Sequence, residues 1–112
     1  MQRTAQPWHL PLTAAALLFT ETGIGADPFP NANLEQGQAF HDELCVACHT
    51  RRFGGEEGSG AYLRENRRVK SPDALTQMLT ACTTNLRLEL FPEDEYHIAG
   101  YLNRRFYRFG LE

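Results

Sequence analysis

The sequence predicts an all-α chain of three main helices. Three observations carry that expectation. No stretch alternates apolar and polar residues as a half-buried strand does. Ser71-Pro72 and Phe91-Pro92 each open an apolar-periodic segment, and Pro suits the first helical position. Apolar residues then recur at steps of three and four.

Asn33 is placed to N-cap a first helix running to about Leu44. The second helix starts at Ser71-Pro72, and Leu75, Met78, Leu79, Cys82 and Leu86 fall on one of its faces. The third starts at Phe91-Pro92. Glu93, Asp94 and Glu95 in its first turn and Arg104, Arg105 and Arg108 near its end suit the helix dipole, while Ile98, Tyr101 and Leu102 give it an apolar face. Between the first two helices lies a Gly-rich, basic stretch, read as a loop. Residues 51–70 hold six cations against three carboxylates, which can steer an acidic partner or simply be solvated.

A chain of 112 residues supports one domain. Its net charge of −3 speaks against a nucleic-acid binder. Three Cys are too few for a disulfide scaffold. No apolar run reaches the roughly 18–20 residues of a membrane span. Residues 1–26 read as a secretory signal peptide. Arg3 is the only charge before Glu21, Leu10 to Phe19 holds eight apolar residues in ten, and Gly23, Gly25 and Ala26 supply a small-residue exit. An uncleaved anchor is the alternative, disfavoured by Pro11 and the short apolar run. The expected mature domain is 27–112, with a short Pro-Asn-rich leader at 27–32, and its expected location is the periplasm or another exported compartment.

The chemistry concentrates in Cys45-Val-Ala-Cys48-His49. C-x-x-C-H is the attachment signal for c-type haem. Two thiols one helical turn apart can form thioethers to the haem vinyl groups, and the adjoining His can serve as proximal iron ligand. Three other readings stand beside it. A thioredoxin-like redox pair needs a βαβ context that is missing. Zinc bound by Cys45 and Cys48 with two of His49, Cys82 and His97 lacks a second close ligand pair. A plain disulfide is permitted in an exported chain.

Gly37-Gln-Ala-Phe40-His41-Asp-Glu-Leu-Cys45 resembles the N-terminal helix of class I monohaem cytochromes c, and Ile98-Ala-Gly-Tyr101-Leu102 resembles their C-terminal helix. Gly37 lies eight residues before Cys45, as in that family, and His41 takes the family's aromatic position with Phe40 beside it. The resemblance spans most of residues 33–109. It implies a small cytochrome c-like fold, three helices wrapped around one covalent haem c, and single-electron transfer between redox partner proteins. A Gly facing an aromatic also allows close helix approach on physical grounds.

The chain departs from the family in two places. The loop Thr83 to Leu90 has no Met to supply the sixth iron ligand, and Arg51 to Lys70 has no Pro to brace the proximal imidazole. The candidates for the distal position are Met78, Asn85 and Cys82. Met78 reads as core filler in a helix, Cys82 as a buried structural thiol, and Asn85 as a turn residue. The region is also loosely similar to small bacterial haem proteins of the sphaeroides haem protein type, which use an Asn beside a Cys as a displaceable ligand. Here Ala81 precedes Cys82, so Asn85 is only a nearby substitute. His97 reads as a surface His, and His41 as packing on the proximal side. Phe106 to Phe109 is expected to fold back over the haem edge or the first helix, or else to end an amphipathic helix.

No Ser-His-Asp set, phosphate loop or spaced carboxylate pair appears, so the chain reads as a carrier and not an enzyme. The alternative is a binder of diatomic gases at an open or displaceable sixth site. A small peroxidase-like enzyme ranks last, for want of a distal acid–base pair.

Overall fold

The structure, a computed structural model, describes residues 2–5, 15 and 26–111. The expected signal peptide over 1–26 therefore lies mostly outside the described residues. Among those residues the chain is helical and has no strand. No described helix is long and apolar enough to cross a membrane.

The three expected helices are present with the expected starts. Helix α1 spans Leu34–Leu44. The Asn33 side chain accepts from the Gln36 N–H at 3.0 Å, satisfying one of the donors a helix start leaves open. Further along the chain, Ser71 caps a 14-residue helix, Pro72–Asn85, by accepting from the Ala74 N–H at 3.1 Å. The last long helix, Pro92–Leu102, follows Phe91, whose N–H donates to the Asp94 carboxylate at 3.0 Å.

The stretch read as a loop holds more structure than expected. A second helix, α2, spans Val46–Phe53 and begins where α1 ends, with Cys45 flanking both. A 3-10 turn at Glu56–Gly58 and a one-turn helix α3, Gly60–Leu63, follow. The helices Pro72–Asn85 and Pro92–Leu102 are therefore α4 and α5. These short pieces lie below the length at which propensity alone sustains a helix, so contacts with the rest of the fold hold them. Gly60 N–H donates to the Gly54 carbonyl at 3.0 Å. The Glu57 carboxylate accepts from the Tyr101 hydroxyl of α5 at 3.0 Å and lies 3.8 Å from Arg105.

The core forms where α1 crosses α5. Ile98, Ala99, Tyr101 and Leu102 of α5 are buried, as the sequence pattern anticipates for three of them. Gly37 is buried at the crossing. A Cβ built there would collide with the His97 carbonyl and come within 3.0 Å of the Tyr101 Cβ. The close approach of a Gly and an aromatic is thus present in this fold. Residues 27–32, read as a leader, pack on α5 instead. Phe29 is buried, stands edge-on to Tyr96 at 5.7 Å, and the Tyr96 hydroxyl donates to the Pro30 carbonyl at 2.7 Å.

After Leu102 the backbone widens into a π-turn, Asn103–Tyr107, closed by the Arg108 N–H donating to the Asn103 carbonyl at 2.8 Å. Asn103 is almost fully buried, and its amide exchanges two hydrogen bonds with the Phe109 backbone at 2.8 and 3.0 Å. This is the expected fold-back of the aromatic C-terminus, made by a wide turn and not by an amphipathic helix end. Phe106 lies 6.4 Å from His41 of α1 between ring centroids.

Because the crossing has no room for a methyl group, Gly37→Ala should destabilise the fold by about 1–3 kcal/mol, the usual cost of overpacking. Thermal unfolding should show a midpoint lowered by about 4–8 °C per kcal/mol. An unchanged midpoint would mean that α1 and α5 are not in close contact.

Candidate functional site

Cys45, Cys48 and His49 all line one cavity of about 330 Å³. Positions i, i+3 and i+4 share a helix face, and the α1–α2 junction presents that face. The Cys45 N–H still closes α1 by donating to the His41 carbonyl, while the Cys45 carbonyl accepts the His49 N–H to open α2. Gly58, at φ +72°, packs against the back of His49, where a Cβ would overlap the His49 Cβ. A side chain there would push the imidazole out of place.

The α4 stripe of Leu75, Met78, Leu79 and Cys82 forms another wall. The sequence pattern located this apolar face correctly but misjudged what it faces. Met78 is not core filler: it is 39% exposed and borders the cavity. Cys82 is half-buried and Asn85 exposed, and both line the same space. The fold therefore gathers all three distal candidates beside the C-x-x-C-H residues. Leu86, assigned to the helical face, lies just past the helix end at 61% exposure and also borders the cavity. His97 is not a free surface residue. It is half-buried, and its Nδ1 accepts from the Asn33 N–H at 3.0 Å.

Cations from the basic stretch reach the same cavity. Arg52, Arg64, Arg67 and Arg68 all border it. Arg64 lies over the Phe53 ring at 4.8 Å and Arg67 over the Tyr107 ring at 5.1 Å. Arg67 also donates to the Tyr62 carbonyl at 3.0 Å. Such stacked, anchored guanidinium groups are suited to binding a carboxylate at the edge of an otherwise apolar space.

Tyr62 is the site residue that sequence reasoning missed. Its hydroxyl lies 2.7 Å from His49 Nδ1 and 2.9 Å from Nε2 of His41. His41 is completely buried, and its Nδ1 has no hydrogen-bond partner among the described residues. The signal in the sequence was indirect. A stretch without Pro needed another brace for the His49 ring, and Tyr62 is the one Tyr within it.

Burial sets the protonation states. It pushes the Cys45 thiol up to about 11, with a smaller contribution from Cys82. Burial also raises Cys82 and carries Tyr107 to about 12. These thiols are neutral at ordinary pH, which ill suits a thioredoxin-like nucleophile. All three cysteines are free, and the described residues contain no group of three or more His, Cys, Asp or Glu arranged to hold a metal ion. Burial lowers both His41 and His49, helped by His49 in the first case and by Arg52 in the second.

No family model, curated protein or solved structure matches this chain.

The lowered histidines make stability depend on pH. Each has a folded pKa below its unfolded value near 6.5, so the unfolded chain binds more protons in the interval between the two. Their contribution is complete above about pH 6.5 and is lost as pH falls toward the lowered values. Urea midpoints of the chain free of any bound group should be level above about pH 7 and should decline between about pH 6.5 and pH 5. A level midpoint throughout would show that His41 and His49 are not held neutral by burial.

Proposed function

We propose that this chain is an exported monohaem c-type cytochrome that carries single electrons between redox partner proteins. One observation carries the reading: the two thiols and the imidazole of C-x-x-C-H line a single cavity walled mainly by apolar side chains. The donor set fits the group. Cys45 and Cys48 would hold haem c through thioethers, and His49 would be the proximal ligand to iron. Each thioether would form by addition of S–H across one vinyl double bond, which needs no oxidant. When bound, haem supplies a one-electron couple at its iron.

The chain's own residues do the remaining work. Leu75, Leu79 and Val69 keep water from the site. Arg52, Arg64 and Arg68 at its edge would offset the carboxylates of a bound haem and present a positive face to an acidic partner. Gly58 packs behind His49, and the Tyr62 hydroxyl lies 2.7 Å from its Nδ1.

A second reading, a binder of diatomic gases, is favoured by the character of the α4 wall. It offers the exposed Met78, a neutral thiol at Cys82 and the exposed Asn85. The Thr83–Leu90 segment offers no Met.

Acid–acetone treatment of the mature protein should leave haem with the polypeptide, while the double variant Cys45→Ala, Cys48→Ala should release it. Extractable haem in the unaltered protein, or zinc in its place, would sink the reading. The choice between carrier and gas binder rests on Met78. Met78→Leu conserves volume and should cost less than about 1.5 kcal/mol in packing. With no Met ligand, the ferric protein should lack the far-red charge-transfer band of Met-ligated haem. The reduced protein should bind carbon monoxide readily, and Met78→Leu should leave the spectrum unchanged. A band that disappears in Met78→Leu would establish Met78 as the ligand and exclude the gas-binding reading.

A further inference from the structure

We propose that Tyr62 is the positioning residue for His49, and that it does so within a directed hydrogen-bond chain running His49 to Tyr62 to His41. The inference rests on the haem reading above and assigns the second ring nitrogen of the proximal ligand.

The Tyr62 hydroxyl contacts His49 Nδ1 at 2.7 Å and His41 Nε2 at 2.9 Å. It owns a single hydrogen and can donate to one of them only. One imidazole must therefore donate to Tyr62 while the other accepts. A neutral imidazole carries one N–H, on one nitrogen or the other. In one sense of the chain His41 Nε2–H donates to Tyr62, and Tyr62 donates to His49 Nδ1. The His49 proton then occupies Nε2, which is left without a lone pair for iron. In the other sense His49 Nδ1–H donates to Tyr62, and Tyr62 donates to His41 Nε2. Only this second sense leaves Nε2 of His49 free to bind a metal. It places the His41 proton on Nδ1, the buried atom that has no partner among the described residues.

Tyr62 is built to hold this post. It is buried on α3, its ring packs on Phe106 at 5.2 Å and on Tyr107 at 5.7 Å, and Arg67 ties down its carbonyl. His41 is held as firmly, fully buried with its ring 5.5 Å from Tyr101. A hydroxyl with so little freedom can fix both the tautomer and the rotation of the His49 ring, and its acceptance of the Nδ1–H makes the ligand a better electron donor.

The test uses the mature holoprotein with nitrogen-15-labelled histidine, reduced and saturated with carbon monoxide. His41 should show a protonated Nδ1 and an unprotonated Nε2. A proton on His41 Nε2 would overturn the proposal, and this measurement needs no variant. Tyr62→Phe keeps the ring and removes the hydroxyl. It should accelerate solvent exchange of the His49 Nδ1–H and raise the reduction potential, because the ferric state loses donor strength. At the wild-type midpoint the ratio of reduced to oxidised protein should rise at least threefold, about 28 mV at 59 mV per tenfold change. A variant that folds with unchanged exchange and unchanged potential would overturn the positioning role. Failure of the haem reading shows separately, as a pyridine haemochrome spectrum of the wild-type protein without the thioether-shifted band, and it would end both proposals.

Discussion

The rest of the molecule depends on the contact between Gly37 and α5. With no side chain at that point, α1 settles onto the His97 carbonyl and the Tyr101 side chain. That seating fixes the end of α1, and the end of α1 is Cys45. The direction in which α2 presents Cys48 and His49 follows from there. Tyr101 is buried at the crossing, and its hydroxyl reaches Glu57 in the turn that packs behind His49. One small-residue contact thus sets the geometry of the site from two directions.

Much of this was legible in the sequence, where local chemistry decides local structure. Asn33, Ser71 and Pro92 mark helix starts because capping and the Pro preference act within one turn. The C-x-x-C-H face was readable because helical spacing puts those residues together. The 51–70 stretch was not readable. Its helices are too short to be favoured alone, and they exist because Arg64 stacks on Phe53 and Gly60 bonds to Gly54. Met78 shows a different limit. Periodicity identifies an apolar face but not whether a core or a cavity lies in front of it. Phe29 shows a third, since a Pro-Asn-rich segment gave no sign that its one aromatic is buried against Tyr96.

The polar centre of the molecule is narrow and enclosed by rings. His41, Tyr62, His49, Tyr101 and Phe106 meet at centroid separations of 5.2 to 6.4 Å. Two imidazoles and a phenol in such surroundings strengthen each other's hydrogen bonds, because little solvent competes. The same seclusion makes each unmatched polar atom expensive, and a single atom, His41 Nδ1, carries that expense among the described side chains.

The pairing of α1 with α5 also encloses the site in a loop of chain. Asn33 and His97, joined by a hydrogen bond, stand 64 positions apart. Joining points so distant costs entropy, since the long loop between them must lose freedom before the contact repays the loss. Cys45, Cys48 and His49 all lie inside that loop, so whatever loosens the seat of α1 on α5 loosens the whole segment that carries them.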